Sequence, residues 1–177
     1  MTTASYRSVF RPGLFAGQTI IVTGGGSGIG RCIAHELASL GAALALVGRK
    51  VEKLQAVQAE IAAAAPQVTV TIHSCDIRDE PGVKQMIADV LAAHGRIDGL
   101  VNNAGLSATA APFDQETAEA WDAIVATNLS GVFHGMQAVI PSMKDNGGGS
   151  IVNVSSTGGL VGLPLTSSYA AAKWGMR

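Results

Sequence analysis

The chain has 177 residues, of which 47% are hydrophobic and 14% charged, with a formal net charge of −1. This length predicts one domain with a sizeable core, and the near-zero charge argues against nucleic acid or an anionic membrane surface as a partner. The only cysteines, Cys32 and Cys75, and the four histidines lack the spacing of metal ligands, so no metal site is predicted. Because no apolar run reaches membrane-spanning length and residues 1–11 lack the pattern of a secretory signal, we expect a cytoplasmic protein without a membrane partner.

Strands and helices alternate along the sequence. An irregular leader over residues 1–17, with Phe10, Leu14 and Phe15 packed on the body, precedes the first strand. Strands are predicted at 19–23, 43–47, 68–72, 97–101 and 150–154. The first helix is predicted from the glycine turn to about residue 40, and the others at 51–64, at 81–94, at about 117–144 and from about 168. The long helix is expected to bend near Asn128 or Pro141. Short apolar strands alternating with helices predict an α/β fold, a doubly wound parallel sheet forming one domain over residues 1–177.

Ligands of such sheets bind beyond the carboxyl ends of the strands. Each distinctive motif of this sequence falls at such an end. A glycine turn follows the first strand, and the later strand ends are marked by Arg49, Asp76, Asn103 and Ser156. This agreement of position predicts one functional site along that edge of the sheet.

The glycine turn joins the first strand to a helix. Free backbone N–H groups and the helix dipole at such a junction favour a phosphate. The turn fits the pattern T-G-x-x-x-G-x-G, with Thr23, Gly24, Gly28 and Gly30, and not G-x-G-x-x-G. Ser27 and Ile29 lie in the same turn and join Gly24, Gly28 and Gly30 as candidate cofactor-binding residues. The alternative is a tight turn without a ligand.

The ends of the next strands carry candidate contacts to the adenosine part of a dinucleotide. Arg49 stands where an acid would accept a hydrogen bond from a free ribose 2′-hydroxyl, which favours NADP(H) over NAD(H). The alternative is that Arg49 and Lys50 merely charge the start of a helix. Asp76, with Ile77, is a candidate for the adenine amino group, or else a cap of the turn. Asn103, Ala104 and Gly105 follow the fourth predicted strand, where small residues would let a cofactor lie close to the backbone.

Tyr169 and Lys173 are four residues apart on a predicted helix and therefore share one face. A nearby ammonium favours the phenolate form, which makes a tyrosine a usable proton donor and acceptor near neutral pH. Ser156, at the end of the preceding strand, is placed to hydrogen-bond the same substrate oxygen. The alternative is a surface tyrosine and lysine on an alanine-rich helix.

These motifs together resemble the short-chain dehydrogenase/reductase family over nearly the whole chain. The resemblance rests on Thr23-Gly24-x-x-x-Gly28-Ile29-Gly30, Asp76, Asn102-Asn103-Ala104-Gly105, Asn128, Ser156 and Tyr169-x-x-x-Lys173. It implies a Rossmann fold and a nicotinamide cofactor, with Tyr169 as general acid/base and Ser156 polarising the substrate oxygen. It further implies that Lys173 holds the nicotinamide ribose and that Tyr169 also contacts the cofactor. Asn128 is expected to hold a water that relays protons to Lys173.

The resemblance implies an NADP(H)-dependent reductase of carbonyls or dehydrogenase of secondary alcohols. Similarity of the leader, Pro12-Gly13-Leu14-Phe15-x-Gly17, to enoyl-CoA reductase-like members leaves an acyl-thioester substrate as an alternative. Family members are usually longer than this chain, with further strands and a substrate-covering segment after the lysine. A truncated cofactor-binding module without turnover is therefore a second alternative.

The resemblance also implies a homodimer or homotetramer for the full-length protein. In the family, the long helix and the tyrosine helix usually pack against a partner. The residues of this chain expected to contribute, unless they belong to the core, are Trp121, Ile124, Val125 and Trp174.

Overall fold

A computed structural model of the protein describes residues 8–107 and 110–177. Five parallel strands form one sheet in the order β3-β2-β1-β4-β5. They are β1 Thr19–Thr23, β2 Ala43–Gly48, β3 Val70–Ser74, β4 Gly99–Asn102 and β5 Ser150–Asn153. The chain runs outward from β1 in one direction and then returns to add β4 and β5 on the other side, so a crevice opens between β1 and β4. The predicted doubly wound α/β fold is confirmed.

The described residues contain six α-helices, and the longest continuous helical segment includes a π-helical turn. The α-helices are α1 Gly28–Ser39, α2 Val51–Ala64, α3 Glu80–His94, α4 Ala118–Val125, α5 Gly131–Asp145 and α6 Ser167–Gly175. The π-helical turn, Ala126–Ser130, joins α4 to α5. Short 3₁₀ turns lie at Phe113–Gln115 and Thr157–Gly159. A bend was expected near Asn128 or Pro141; the structure has a π turn that contains Asn128, a feature that often marks functional positions, and Pro141 lies inside α5.

The core consists of two apolar clusters, one on each face of the sheet. Alternate residues of β1 point to opposite faces: Ile21 packs toward α3 and α5, whereas Ile20 and Val22 pack toward α1 and α2. All five residues of β1 are buried. Since both faces are covered, β1 and β2 read as continuous apolar runs in the sequence.

Two predicted strands begin later than the sequence pattern indicated. The third was expected at 68–72, but the register with β2 pairs Leu44 with Val70, which moves the strand to Val70–Ser74. The fourth was expected at 97–101, but the ladder with β1 begins where Ile20 faces Gly99. The residue before it, Asp98, accepts a hydrogen bond from the Thr19 N–H at 2.9 Å through its carboxylate.

The leader is only partly attached to the body. Phe15 packs against the α1–α2 cluster as predicted, but Phe10 and Leu14 are exposed, so their predicted packing was wrong. Residues 1–7 lie outside the described part of the chain.

The continuous helix Ala118–Asp145 is long and apolar enough to cross a membrane, judged by length and composition alone. The expectation that no segment meets this criterion was therefore wrong. A core helix of a soluble protein satisfies it equally well, and Ile124, Val132, Val139 and Met143 of this helix are buried in the structure.

Candidate active site

An open cleft of about 200 Å³ lies at the carboxyl ends of β1 to β4. Predicted cofactor residues from all four strand ends line it: Gly24, Ser27, Arg49, Asp76, Ile77, Ala104 and Gly105. Side chains that the sequence reasoning did not select also line it, among them Lys53, Arg78, Leu106 and Thr127. The cleft therefore brings together predicted cofactor residues, whereas Ser156, Tyr169 and Lys173 are not among the described residues that line it.

The glycine turn packs so closely that two of its glycines have no space for a side chain. A Cβ on Gly30 would lie 2.3 Å from the Gly24 carbonyl oxygen, and one on Gly24 would lie 2.8 Å from Asn103 Nδ2. Gly28 differs, because its surroundings are open but its φ of +53° favours glycine. The turn thus brings its own backbone to the edge of the cleft.

The N-terminus of α1 fits an anionic phosphate. Its N-cap residue, Ser27, has an extended backbone and makes no capping hydrogen bond within residues 8–107 and 110–177, and the first turn of α1 carries no acid. The hydroxyl and the first N–H groups are therefore available as donors, and the helix dipole adds positive potential. Ile29 is 64% exposed beside this turn. These features fit the pyrophosphate of a dinucleotide.

The side chain of Asn103 has a structural role. Its Nδ2 donates to the Thr23 carbonyl at 3.0 Å, and the N–H groups of Asn103 and Ala104 donate to Thr23 Oγ1 at 3.0 and 3.1 Å. These bonds tie the end of β4 to the glycine turn after β1. Ala104 and Gly105, which follow Asn103, form part of the wall of the cleft.

The rim of the cleft beyond β2 and β3 is strongly basic, with Arg49, Lys50, Lys53 and Arg78 in its lining. Asp76 lies among these cations, and its carboxylate accepts from Arg78 Nη2 at 2.5 Å and from Nε at 2.9 Å. The hydrogen-bonded Arg78 lowers the pKa of Asp76 to about 2, and Arg49 contributes in the same direction. Asp76 is thus an ionised acceptor, as a contact with an adenine amino group requires.

Two of these cations were missed in the sequence, although a signal existed. Lys53 lies in the first turn of α2, just after Lys50, the N-cap residue, so the basic run Arg49-Lys50 continues into the helix. Arg78 comes two residues after Asp76, within reach of a local ion pair.

Asn128 is fully buried in the π turn and is bound by the loop after β4. Its Oδ1 accepts from the Leu106 N–H at 2.8 Å, and its Nδ2 donates to the Leu106 carbonyl at 2.9 Å. A Cβ on Gly105 would lie 3.1 Å from the same Oδ1. Asn128 therefore fixes the wall of the cleft next to Gly105, a role that no sequence pattern indicated.

Tyr169 and Lys173 lie one turn apart on α6, as predicted. The Lys173 ammonium is 5.8 Å from the centre of the Tyr169 ring and donates to the Val154 carbonyl at 2.8 Å. Lys173 is 6% exposed, and burial lowers the pKa of its ammonium. One of its three donors is used by Val154, so two remain for a ligand.

Ser156 follows β5 and caps the 3₁₀ turn Thr157–Gly159. Its Oγ accepts from the Gly158 N–H at 3.2 Å, which leaves the hydroxyl hydrogen free to donate. A Cβ on Gly158 would lie 3.4 Å from two carbons of the Tyr169 ring. The structure thus places Ser156 at the start of the turn that packs against Tyr169.

The residues expected at a subunit interface divide between core and surface. Ile124 is buried, and Val125 is partly buried. Trp121 and Trp174 are exposed.

Known proteins match this arrangement over nearly the whole described chain. The family model "short chain dehydrogenase" matches residues 18–177. The levodione reductase of Leifsonia aquatica is 40% identical over 162 residues, which are 92% of this chain and 61% of that protein. This chain therefore spans about three-fifths of the length of that curated relative.

Solved structures are also similar to this chain in both sequence and fold. A citronellol catabolism dehydrogenase of Pseudomonas aeruginosa PAO1 is 48% identical, with a TM-score of 0.87 over 97% of this chain and 69% of the other. A metagenomic short-chain oxidoreductase in complex with NADP is 40% identical, with a TM-score of 0.86 over 92% of this chain and 72% of the other. An NAD⁺-bound xylitol dehydrogenase is 31% identical, with a TM-score of 0.89 over 92% of this chain and 62% of the other.

The range matched by the family model includes the glycine turn and the helix that carries Tyr169 and Lys173. Both nicotinamide dinucleotides occur among the similar structures, so the choice between them is not fixed by family. The protein belongs to the short-chain dehydrogenase family.

Proposed function

We propose that the protein is an NADP(H)-dependent oxidoreductase that interconverts carbonyl compounds and secondary alcohols, with Tyr169 as its general acid/base. The observation that carries the proposal is the position of the Lys173 ammonium, 5.8 Å from the centre of the Tyr169 ring. The glycine turn and Asn103 have packing roles of their own. The buried Lys173 ammonium uses one donor on the Val154 carbonyl, which leaves two donors beside Tyr169 for a ligand.

The roles of the side chains follow from their hydrogen-bonding capacity. When carbonyl is reduced, the Tyr169 phenol gives its proton to the substrate oxygen, while the free hydroxyl hydrogen of Ser156 donates to the same atom. The Lys173 ammonium stabilises the resulting phenolate, and its two remaining donors would hold the ribose of a bound cofactor. The bound nicotinamide would supply or accept the hydride. Asn128 holds the Leu106 backbone at the cleft wall and, by family resemblance, a water that relays protons to Lys173.

NADP(H) is proposed over NAD(H) because of the basic rim. A 2′-phosphate carries close to two negative charges, and Arg49, Lys50 and Lys53 line the part of the cleft beyond β2. No carboxylate from the end of β2 is present in the lining, whose one acid is Asp76, already paired with Arg78.

Replacing Tyr169 by phenylalanine tests the function. Tyr169→Phe should lower NADPH-dependent turnover of a panel of ketones by about 10²- to 10⁴-fold, the usual contribution of a general acid. NADPH binding, followed by its fluorescence, should be unchanged. The matched control is Tyr6→Phe, which changes the only other tyrosine of the sequence. Turnover retained in Tyr169→Phe would contradict the assignment.

The same assay separates the alternatives. NADPH oxidation with a 2-enoyl thioester but with no ketone would favour reduction of an enoyl thioester. NADPH binding without turnover of any of these compounds by the unaltered chain would favour a binding module.

Replacing Arg49 tests the cofactor. Arg49→Ala should weaken NADPH binding by about 10-fold or more, the effect of losing one charge-assisted hydrogen bond, and should leave NADH binding unchanged. Arg11→Ala, which removes an exposed cation of the leader, is the control. An equal loss for both cofactors in Arg49→Ala would contradict the 2′-phosphate assignment.

We further propose a cytoplasmic location and a homodimer or homotetramer built through the α4–α5 helix and α6. The exposed Trp121 and Trp174 support such an interface. Light scattering of the purified protein measures the oligomeric state directly.

A further inference from the structure

A buried hydrogen bond joins two distant segments directly beside Tyr169. Ser168, the second residue of α6, is fully buried and donates its hydroxyl hydrogen to Oε1 of Glu116. Glu116 immediately precedes Thr117, the N-cap residue of α4. The bond therefore connects the end of the loop after β4 to the first turn of the tyrosine helix, across 52 residues of sequence.

The other oxygen of this carboxylate is buried without a partner. Within residues 8–107 and 110–177, Glu116 Oε2 has no hydrogen-bond donor. A desolvated carboxylate oxygen costs free energy when it is unpaired, so its position calls for compensation. It lies where the N-termini of α4 and α6 come together, and the positive ends of two helix dipoles stabilise a negative charge there.

The first turn of α6 lacks the local groups that usually hold a helix start. Its N-cap residue, Thr166, makes no side-chain capping bond, and the turn contains no acidic residue. The segment leading into the helix is loosely packed, because Leu160, Val161, Leu163 and Leu165 are all exposed. Glu116 supplies from another part of the chain the acceptor and the charge that the sequence of α6 does not provide.

The opposite end of α6 is held separately. Ser155 Oγ donates to the Lys173 carbonyl at 3.3 Å, and Arg177 donates to the Gly159 carbonyl at 2.9 Å. The Lys173 ammonium is fixed on the Val154 carbonyl. Lys173 thus has anchors of its own, whereas Tyr169 depends on the first turn of the helix.

We propose that Glu116 is a positioning residue for Tyr169. Through Ser168 it fixes the first turn of α6 and so sets the Tyr169 ring against the Lys173 ammonium. The catalytic consequence rests on the function proposed above, but the geometry can be measured without turnover.

The experiment follows the Tyr169 ring directly. In a Tyr6→Phe background Tyr169 is the sole tyrosine, so a ring-labelled tyrosine gives one set of NMR signals from this side chain. Ser168→Ala and Glu116→Ala should each move these signals most of the way toward those of free tyrosine, and the double variant should move them no further. Glu116→Gln keeps an oxygen that accepts from Ser168 and should restore most of the original position.

Thr117→Ala is the matched control. It removes the N-cap of α4, where Thr117 Oγ1 accepts from the Ala120 N–H at 3.1 Å, next to Glu116, which is the hydrogen-bond partner of Ser168. It should lower the melting temperature and leave the tyrosine signals in place. If Thr117→Ala shifts them as far as Glu116→Ala does, the effect is a general loosening and the proposal is overturned.

Two further outcomes are decisive. Unchanged signals in a folded Ser168→Ala or Glu116→Ala protein would also overturn the proposal. Should Ser168→Ala fail to fold, Glu116→Ala and Glu116→Gln still decide it, because Glu116 is only partly buried. Since the signals need no substrate, a result that refutes the catalytic role of Tyr169 leaves this test intact.

Discussion

The two sides of the sheet are held in different ways. At the centre, all five residues of β1 are buried, and the glycine turn beyond it is closed by backbone contacts. At the β5 edge, none of the four strand residues is fully buried, and Val152 is 54% exposed. The helix that follows this edge carries Tyr169 and Lys173; it buries Ala172 and Met176 and is held at both ends by specific polar contacts.

This contrast separates the part of the site expected to bind the cofactor from the part expected to catalyse the reaction. Apolar burial and close glycine packing fix the part of the site that fits a phosphate. Hydrogen bonds to individual side chains fix the part that would move a proton. Substitutions of apolar residues should therefore act mainly on the first part, and substitutions of polar residues on the second.

The largest expected effect is the loss of an isoleucine from the centre of the sheet. Ile21→Ala should lower the free energy of unfolding by about 4 kcal/mol, because Ile21 is fully buried and the cavity cannot collapse between two helical layers. Ile151→Ala, on the partly buried β5, should cost about 1 kcal/mol. Urea unfolding measures both, and equal losses would remove the contrast between the two sides.

A smaller effect is expected in the glycine turn. Gly30→Ala should cost about 3 kcal/mol and abolish NADPH binding, because its Cβ would meet the Gly24 carbonyl oxygen at 2.3 Å. Gly28→Ala places a Cβ in open space and should cost only about 1 kcal/mol for its positive φ. If both variants unfold at the same urea concentration, backbone packing does not close the turn.

The smallest effect is a pH dependence of stability at the β3 edge. His73 Nε2 and His94 Nε2 share the Thr71 hydroxyl at 2.8 and 2.9 Å, and burial lowers the pKa of both imidazoles below 6.5. Because the histidine pKa is lower in the folded state, the unfolded chain binds protons at a higher pH than the folded chain as the pH falls. The contribution of these two histidines to the free energy of unfolding should be fully present above pH 6.5. It should fall by about 1 kcal/mol or less as the pH drops toward 5.

Thermal unfolding between pH 5 and 8 measures this dependence. The double variant His73→Gln/His94→Gln should flatten the acid side of the curve, whereas His35→Gln, on the other face of the sheet beside Glu60, should leave it. An unchanged slope in the double variant would show that other groups cause the loss.

Much of the fold and the candidate site could be predicted from the sequence, because the deciding signals are local. The buried run Thr19–Thr23, the glycine spacing and the four-residue interval from Tyr169 to Lys173 each lie within a few residues. The basic character of the strand-two end was equally readable, although Lys53 and Arg78 were overlooked. The interval predicted both the helix and the pairing of its side chains, since 3.6 residues make one turn.

Tertiary structure alone decided what depends on contacts between distant segments. The register of β3 and β4 follows from β2 and β1, and Asn103 serves the glycine turn 79 and 80 residues away. Asn128 is hydrogen-bonded to Leu106, 22 residues away in sequence, and Glu116 is hydrogen-bonded to Ser168, 52 residues away. A sequence pattern shows which residues share a helix face or a strand end. The partner of a buried polar group is chosen only when the layers pack, because burial is what makes an unpaired group costly.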